Sequence, residues 1–381
     1  MKVWDSRNSL TYNTLRPLVL LMPLLGLNRF PNTQKKVVFI QILSCVIHVT
    51  ALLSFVGKII WCFVGAENSM EHKNISLYIA LSGNLLVGII FYLCGLIYVP
   101  TKLRNFLKIC DDLRTDPLFD ISYLKLKKFS KMFVIISLIT VCVFTVVSML
   151  VLNPPFASVI LCFQSPVWKD SPFFWVSISL NTLTTSFCIA QKIFAFGMIY
   201  AFCCIPTNEF LKCDQEFKKM IDSEPTARKI ETIRKRYVSI KILVEELDKL
   251  LCPFVSVAIG VAFTTVCFVV HVLIYGNVSH TLVVVNIVTL VMALSEIIII
   301  LAIAVSLHGT TTVCLETSQL LDGAKMNTET VGILTLYIDN MKSNHLGLTF
   351  LKLFVLDKAT ILTVFGSLIS YVIVIVQFKP Q

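Results

Sequence analysis

The sequence predicts an all-α integral membrane protein of seven transmembrane helices, its N-terminus cytoplasmic, its C-terminus extracellular, with a cytoplasmic helical anchor. Three observations carry this. Hydrophobic residues make up 56% of the chain, charged residues 15%, and the mean hydropathy is +0.80. A soluble chain has no way to hide so much apolar surface. Apolar runs of about 20 residues, the length that spans a bilayer, occur seven times. Lys and Arg fall almost wholly on alternate sides of those runs, as the positive-inside rule requires.

The elements follow in order. Residues 1–36 form a cytoplasmic N-terminal segment. Its Pro17–Leu27 run is apolar but only 11 residues long and holds Pro17 and Pro23, so it reads as a short interfacial helix and not a span. The spans are Val37–Val64, Ile75–Val99, Met132–Leu152, Phe173–Ile205, Leu251–Tyr275, Thr281–Leu307 and Leu353–Phe378. Together with anchor segments 206–250 and 308–352 they make one unit, 37–378, followed by an extracellular tail, 379–381. With the N-terminus inside, the inner segments hold 6, 8, 10 and 3 basic residues. The outer ones hold only Lys73, Lys169 and Lys379. The net charge of +10 is thus a topology signal and not a nucleic-acid footprint. The two glycosylation sequons, at Asn74 and Asn277, both fall outside the cell in this arrangement. A G-protein-coupled receptor has the opposite orientation. It stays as a remote alternative, with a transporter beside it.

The thirteen cysteines are scattered, and no CxxC pair or Cys/His cluster marks a metal. No cofactor is expected. Cys62 and Cys162 are the one pair placed for an external disulfide. No HExxH, GxSxG or paired intramembrane aspartate points to an enzyme.

Before the fifth span, Ile230, Ile233, Tyr237, Ile240, Val244, Leu247 and Leu251 form a heptad seam. A single helix from the cytosol through the membrane to Tyr275 follows, with Pro253 inside it. The seam packs either within the chain or against another subunit. Glu209–Met220 continues the fourth span inward in the same manner.

Polar groups in the spans are costly and so are informative. Lys192 and Glu296 lie at similar depth on spans of the same direction, which suits an ion pair. His271 stands one turn from Tyr275 and near Phe268, in the outer half of its helix. Tyr78 and Asn84, Trp175 and Ser179, and Asn286 and Thr289 lie near the outer ends of other spans. Aromatics with sparse polar groups suit an outward-opening small-molecule pocket, and equally an interfacial aromatic belt. In the last span, Thr360, Thr363, Ser367, Ser370, Val374 and Gln377 recur at 3, 4, 3, 4, 3 and share one helix face. Such a stripe either packs on another helix or lines water. One helix encloses no pore, so the second reading implies several copies around an axis. Asp357 beside Lys358, at the inner start of this helix, reads as an interfacial anchor.

The C-terminal Ser370-Tyr371-Val372-Ile373-Val374-Ile375-Val376-Gln377-Phe378 resembles the TYxxxxxQF signature of insect gustatory receptors, with Ser370 for the usual Thr. Leu353-Phe354-Val355-Leu356-Asp357-Lys358 looks like the segment that enters the same helix in that family. Leu15-Arg16-Pro17-Leu18 is similar to its short first helix. The resemblance implies a ligand-gated cation channel in the plasma membrane of gustatory neuron dendrites, a homotetramer or a heteromer with other gustatory receptors. It implies a pore lined by the last helix, with Gln377 and Phe378 at the gate. The ligand pocket would lie among the outer halves of the second to sixth helices. Val372 follows the motif tyrosine where sugar receptors often carry an acid, so a plant secondary, bitter-type tastant is expected. A fructose-type receptor and a sister odorant receptor are the alternatives.

Overall fold

The computed structural model describes residues 14–15, 17–18, 42, 45–46, 49–50, 52–53, 56, 86, 89–91, 93–94, 99–115, 123–150, 174–221, 226–275, 280–323, 326–342 and 346–378. Among them the chain forms α1 (Val99–Thr115), α2 (Tyr123–Leu150), α3 (Phe174–Ile221), α4 (Ala227–Tyr275), α5 (His280–Gln319), α6 (Thr328–Lys342), β1 (Thr349–Phe350), β2 (Phe354–Val355) and α7 (Lys358–Gln377). Four of these helices are long and apolar enough to cross a membrane, in α3, α4, α5 and α7. The result is a multi-pass helical membrane bundle. Isolated positions at 42–56 and 86–94 are helical and fall in the first two predicted spans. Leu15 and Leu18, in the N-terminal segment, are fully buried in the common core.

The fourth predicted span does continue into the anchor. α3 is one helix of 48 residues with Pro206 inside it, and α4 is one of 49 with Pro253 inside it. At 1.5 Å per residue each is roughly 70 Å long, more than twice the hydrocarbon thickness. The excess forms the base. The heptad seam is spent there: Ile230, Ile233, Tyr237, Ile240, Val244, Leu247 and Leu251 are all buried within the chain. Packing inside the subunit, and not subunit contact, is therefore what that seam does.

The base is held by polar groups taken out of water in pairs. Arg236, 4% exposed, gives Nη2 to Glu209 Oε2 at 2.7 Å and Nη1 to Glu216 Oε1 at 3.2 Å. Glu209 is fully buried, and Lys212 reaches its other oxygen at 3.0 Å. Asp214 accepts from Thr317 Oγ1 at 2.5 Å, which ties α3 to α5. Tyr337 of α6 packs on Phe217 and edge-on against Tyr237. Burial, with Cys314 alongside, pushes its phenol well above the ordinary tyrosine range.

Higher up, α3 lies against α2, α4 and α5. Gly197 sets the α2–α3 distance, because a Cβ there would come within 2.0 Å of the Phe133 ring. Gly197→Ala is expected to cost about 1–3 kcal/mol through overpacking, read as a lower melting temperature in detergent. The outward faces are apolar. On α2, Ile135, Ile136, Ile139 and Val143 are exposed, and on α5 so are Val284, Val288, Val291 and Met292. Lipid is the solvent that suits them.

The last span departs from expectation at its start. Residues 349–355, expected to be helical from Leu353, instead form an antiparallel hairpin, with Thr349 opposite Val355 and Phe350 opposite Phe354. Leu353 N–H closes the turn on Phe350 O at 2.9 Å. Leu351 and Lys352, the two central residues of that turn in a three-residue loop, hold φ of 50° and 60°, the positive values that a tight turn of this kind demands. Neither is a glycine, so contacts elsewhere hold the strain. α7 starts only at Lys358.

Candidate functional site

α7 divides into three faces. Ile361, Val364, Phe365, Leu368, Tyr371, Val372 and Ile375 are buried or half-buried against the rest of the chain. Leu362, Ile369, Ile373 and Val376 are exposed and apolar. Thr363, Ser367, Ser370, Val374 and Gln377 are exposed and form the third face. At about 100° per residue, this face is centred roughly 135° from the packed one. Among the described residues, the hydroxyls of Thr363 and Ser367 make no bond from α7 to another element. Thr363 and Ser367 donate to the carbonyls of Ala359 and Thr363, at 3.1 and 2.8 Å, within the helix. Packing of the stripe on the described part of the same chain is thereby excluded, except at Thr360.

Thr360 belongs to a helix cap. Asp357 Oδ1 accepts from the Thr360 N–H at 2.8 Å and from its Oγ1 at 2.9 Å, a reciprocal capping box. Asp357 thus caps α7 and does not pair with Lys358. Gln377 is the last helical residue. Phe378 is the C-cap, 76% exposed, its N–H bonded to Val374 O at 3.2 Å.

α7 hangs on α4 at three heights. Before the N-terminal end of α7, Asp248 accepts from the Thr349 N–H at 2.7 Å, from the Thr349 hydroxyl and from Lys352 Nζ. Ser256 Oγ accepts from the Leu351 N–H at 2.8 Å. These bonds hold the strained turn. His308 Nδ1 meets Leu346 O at 2.9 Å on the far side of the hairpin. Midway, Tyr371 donates to Cys267 O at 3.2 Å. Near the C-terminal end of α7, Tyr275 donates to Ile375 O at 2.6 Å. Tyr371 was legible as part of a motif. Asp248 and Ser256 were not, since nothing in the sequence marks one acid among many in a charged helix.

The predicted pocket residues are only partly joined. His271 stacks on Tyr275, with ring centroids 4.9 Å apart and planes at 30°. His271 is exposed and Phe268 half-buried. Asn286 is fully buried, and neither amide atom has a partner among the described residues. Ser186, on α3, is buried, and its hydroxyl has no partner among the described residues. Thr289 is half-buried. Lys192 and Glu296 form the expected pair, at 2.6 Å. Trp175 and Ser179 lie in α3, with side chains outside the described set. Tyr78, Asn84, Asn74, Asn277, Cys62 and Cys162 lie outside the described residues. Among the described residues no His, Cys, Asp and Glu group is arranged for a metal.

No curated protein matches the chain by sequence. Solved structures match its fold, two of them from one receptor. One is the olfactory receptor OR5 of the insect Machilis hrabei in complex with eugenol, 13% identical, covering 96% of this chain and 98% of that one, with a TM-score of 0.70. The other is the same receptor in a second structure, also 13% identical, covering 96% and 99%, with a TM-score of 0.71. The profile described as 7tm chemosensory receptor matches residues 15–381. The chain therefore belongs to the 7tm chemosensory receptor family, a family of receptors and not of enzymes.

Proposed function

We propose that the chain is one subunit of a ligand-gated cation channel, with seven spans, an inner N-terminus and an outer C-terminus. Several copies, four in the homomeric form, surround an axis, and the Thr363–Ser367–Ser370–Gln377 edge of each α7 faces the shared water-filled passage. The observation that carries this reading is the open polar face of α7, turned away from its own subunit and distinct from the apolar exposed face. A hydroxyl edge gains nothing from hydrocarbon, so water or another subunit is its natural neighbour. Gln377 and Phe378, at the outer end, form the gate.

The ligand site lies between the outer parts of α3, α4 and α5. A buried primary amide without a partner among the described residues, at Asn286, is costly in a bilayer. A ligand hydroxyl or carbonyl would satisfy it, so a moderately apolar compound with such a group suits the site. Two sensory branches fit. The fold likeness to an insect olfactory receptor supports an odorant receptor. The Ser370–Phe378 segment supports a gustatory receptor for a bitter plant compound.

The experiment is cysteine accessibility in cells expressing this chain. Ser367→Cys and Ser370→Cys are expected to react with a membrane-impermeant, charged thiol reagent in the conducting state and to reduce the current. Ile369→Cys, on the apolar face, is expected to stay silent. Equal labelling at Ile369 contradicts the assignment of the faces.

A further inference from the structure

We propose that the Tyr275 hydroxyl is a positioning group for the gate, the link through which the outer end of α4 sets the last turn of α7. The inference rests on the pore reading above. Tyr275 is placed by sequence among pocket residues, yet its hydroxyl does not point at an open site. It donates to Ile375 O at 2.6 Å, across 100 residues of sequence.

The acceptor is one of the last four carbonyls of α7, which ends at Gln377. Such carbonyls have no intrahelical donor unless the chain beyond provides one. Unmet in a low-dielectric setting, the group is expensive. The bond therefore favours whichever position of the last turn keeps the Ile375 carbonyl within reach of Tyr275. Gln377 and Phe378 are two and three residues further along. No comparable side-chain bond to α7 is made beyond Tyr371 among the described residues.

The donor side is stiff. Val266, Val269 and Val272, in the last three turns of α4, are buried, and their packing holds the outer end of that helix as a body. His271 covers the Tyr275 ring. A ligand that displaces His271 or tilts the end of α4 shifts the hydroxyl, and the α7 carbonyl must follow it or lose its partner. The inner clamp at Asp248 and Ser256 holds the other end of α7 fixed, so the displacement is felt at the outer turn.

The test is made in the full chain carrying Phe378→Ala, where a ligand-free current can be read. Tyr275→Phe removes only the hydroxyl. It is expected to change the ligand-free open probability by about fivefold or more, in either direction, with unchanged single-channel conductance and surface labelling. A second variant leaves Tyr275 intact. Replacing Val376 by its α-hydroxy acid makes the preceding bond an ester and weakens the Ile375 carbonyl as an acceptor. It is expected to shift open probability in the same direction, and to add nothing once Tyr275→Phe is present. Additive effects, or ligand-free gating unmoved by either change while ligand potency alone shifts, would make Tyr275 a simple contact residue and overturn the proposal. A Phe378→Ala channel that reaches the surface and passes no current overturns it together with the pore reading.

Discussion

Phe378→Ala is expected to raise the ligand-free current by about tenfold or more. Phe378 stands just past the end of α7, 76% exposed within its own subunit. A large apolar side chain left uncovered at the end of a polar helix edge has two destinations, lipid or a neighbouring copy. If the edge faces an axis, the phenyl groups of all subunits converge there. A narrow ring of such groups expels water and blocks ions without a steric plug. Alanine removes the ring and keeps the helix end, because the Phe378 N–H to Val374 O bond is a backbone bond. The readout is whole-cell current before any ligand, normalised to surface-labelled protein. Unchanged resting and evoked currents in a well-expressed variant would remove Phe378 from the gate.

Arg236→Ala is expected to cost about 3–5 kcal/mol and to abolish surface expression. The guanidinium, 4% exposed, is shared between Glu209 and Glu216, and Glu209 is fully buried. Removing the cation leaves the buried Glu209 carboxylate, at the junction of α3 and α4, with the half-buried Lys212 as its one remaining cation among the described residues. The base formed where α3 and α4 meet rests on that junction. Replacing the pair together, Arg236→Met with Glu209→Leu, is expected to recover much of the loss, because apolar groups of similar size remove the desolvation cost. Detergent melting and surface biotinylation read both variants. A single variant as stable as the parent would mean that the base does not depend on this pair.

What the sequence showed depended on the scale of the signal. Span-length apolar runs, the heptad seam and the polar stripe repeat over several turns, and each fixes a helix and its faces. The long helices α3 and α4 were legible for this reason, although Pro206 and Pro253 lie within them. The Lys192–Glu296 pair was legible because charges in a bilayer are few and must meet. The hairpin at 349–355 was not. Its turn is Leu351-Lys352 in place of the Asn-Gly or Gly-rich pairs that announce positive φ, and its apolar residues blend into the last span. The three-level attachment of α7 to α4 was hidden too. It uses backbone carbonyls at Cys267 and Ile375 as acceptors, and no residue type marks a carbonyl. Tyr275 looked like a pocket aromatic because sequence shows where a tyrosine lies on a helix, but not where its hydroxyl ends.

A structure of the assembled protein in a lipid bilayer tests the arrangement of α7 most directly. Thr363, Ser367, Ser370 and Gln377 of every subunit are expected to border one hydrated passage on the symmetry axis, with Leu362, Ile369 and Ile373 turned away from it. An assembly in which those hydroxyls touch acyl chains, with no passage at its centre, would contradict the account.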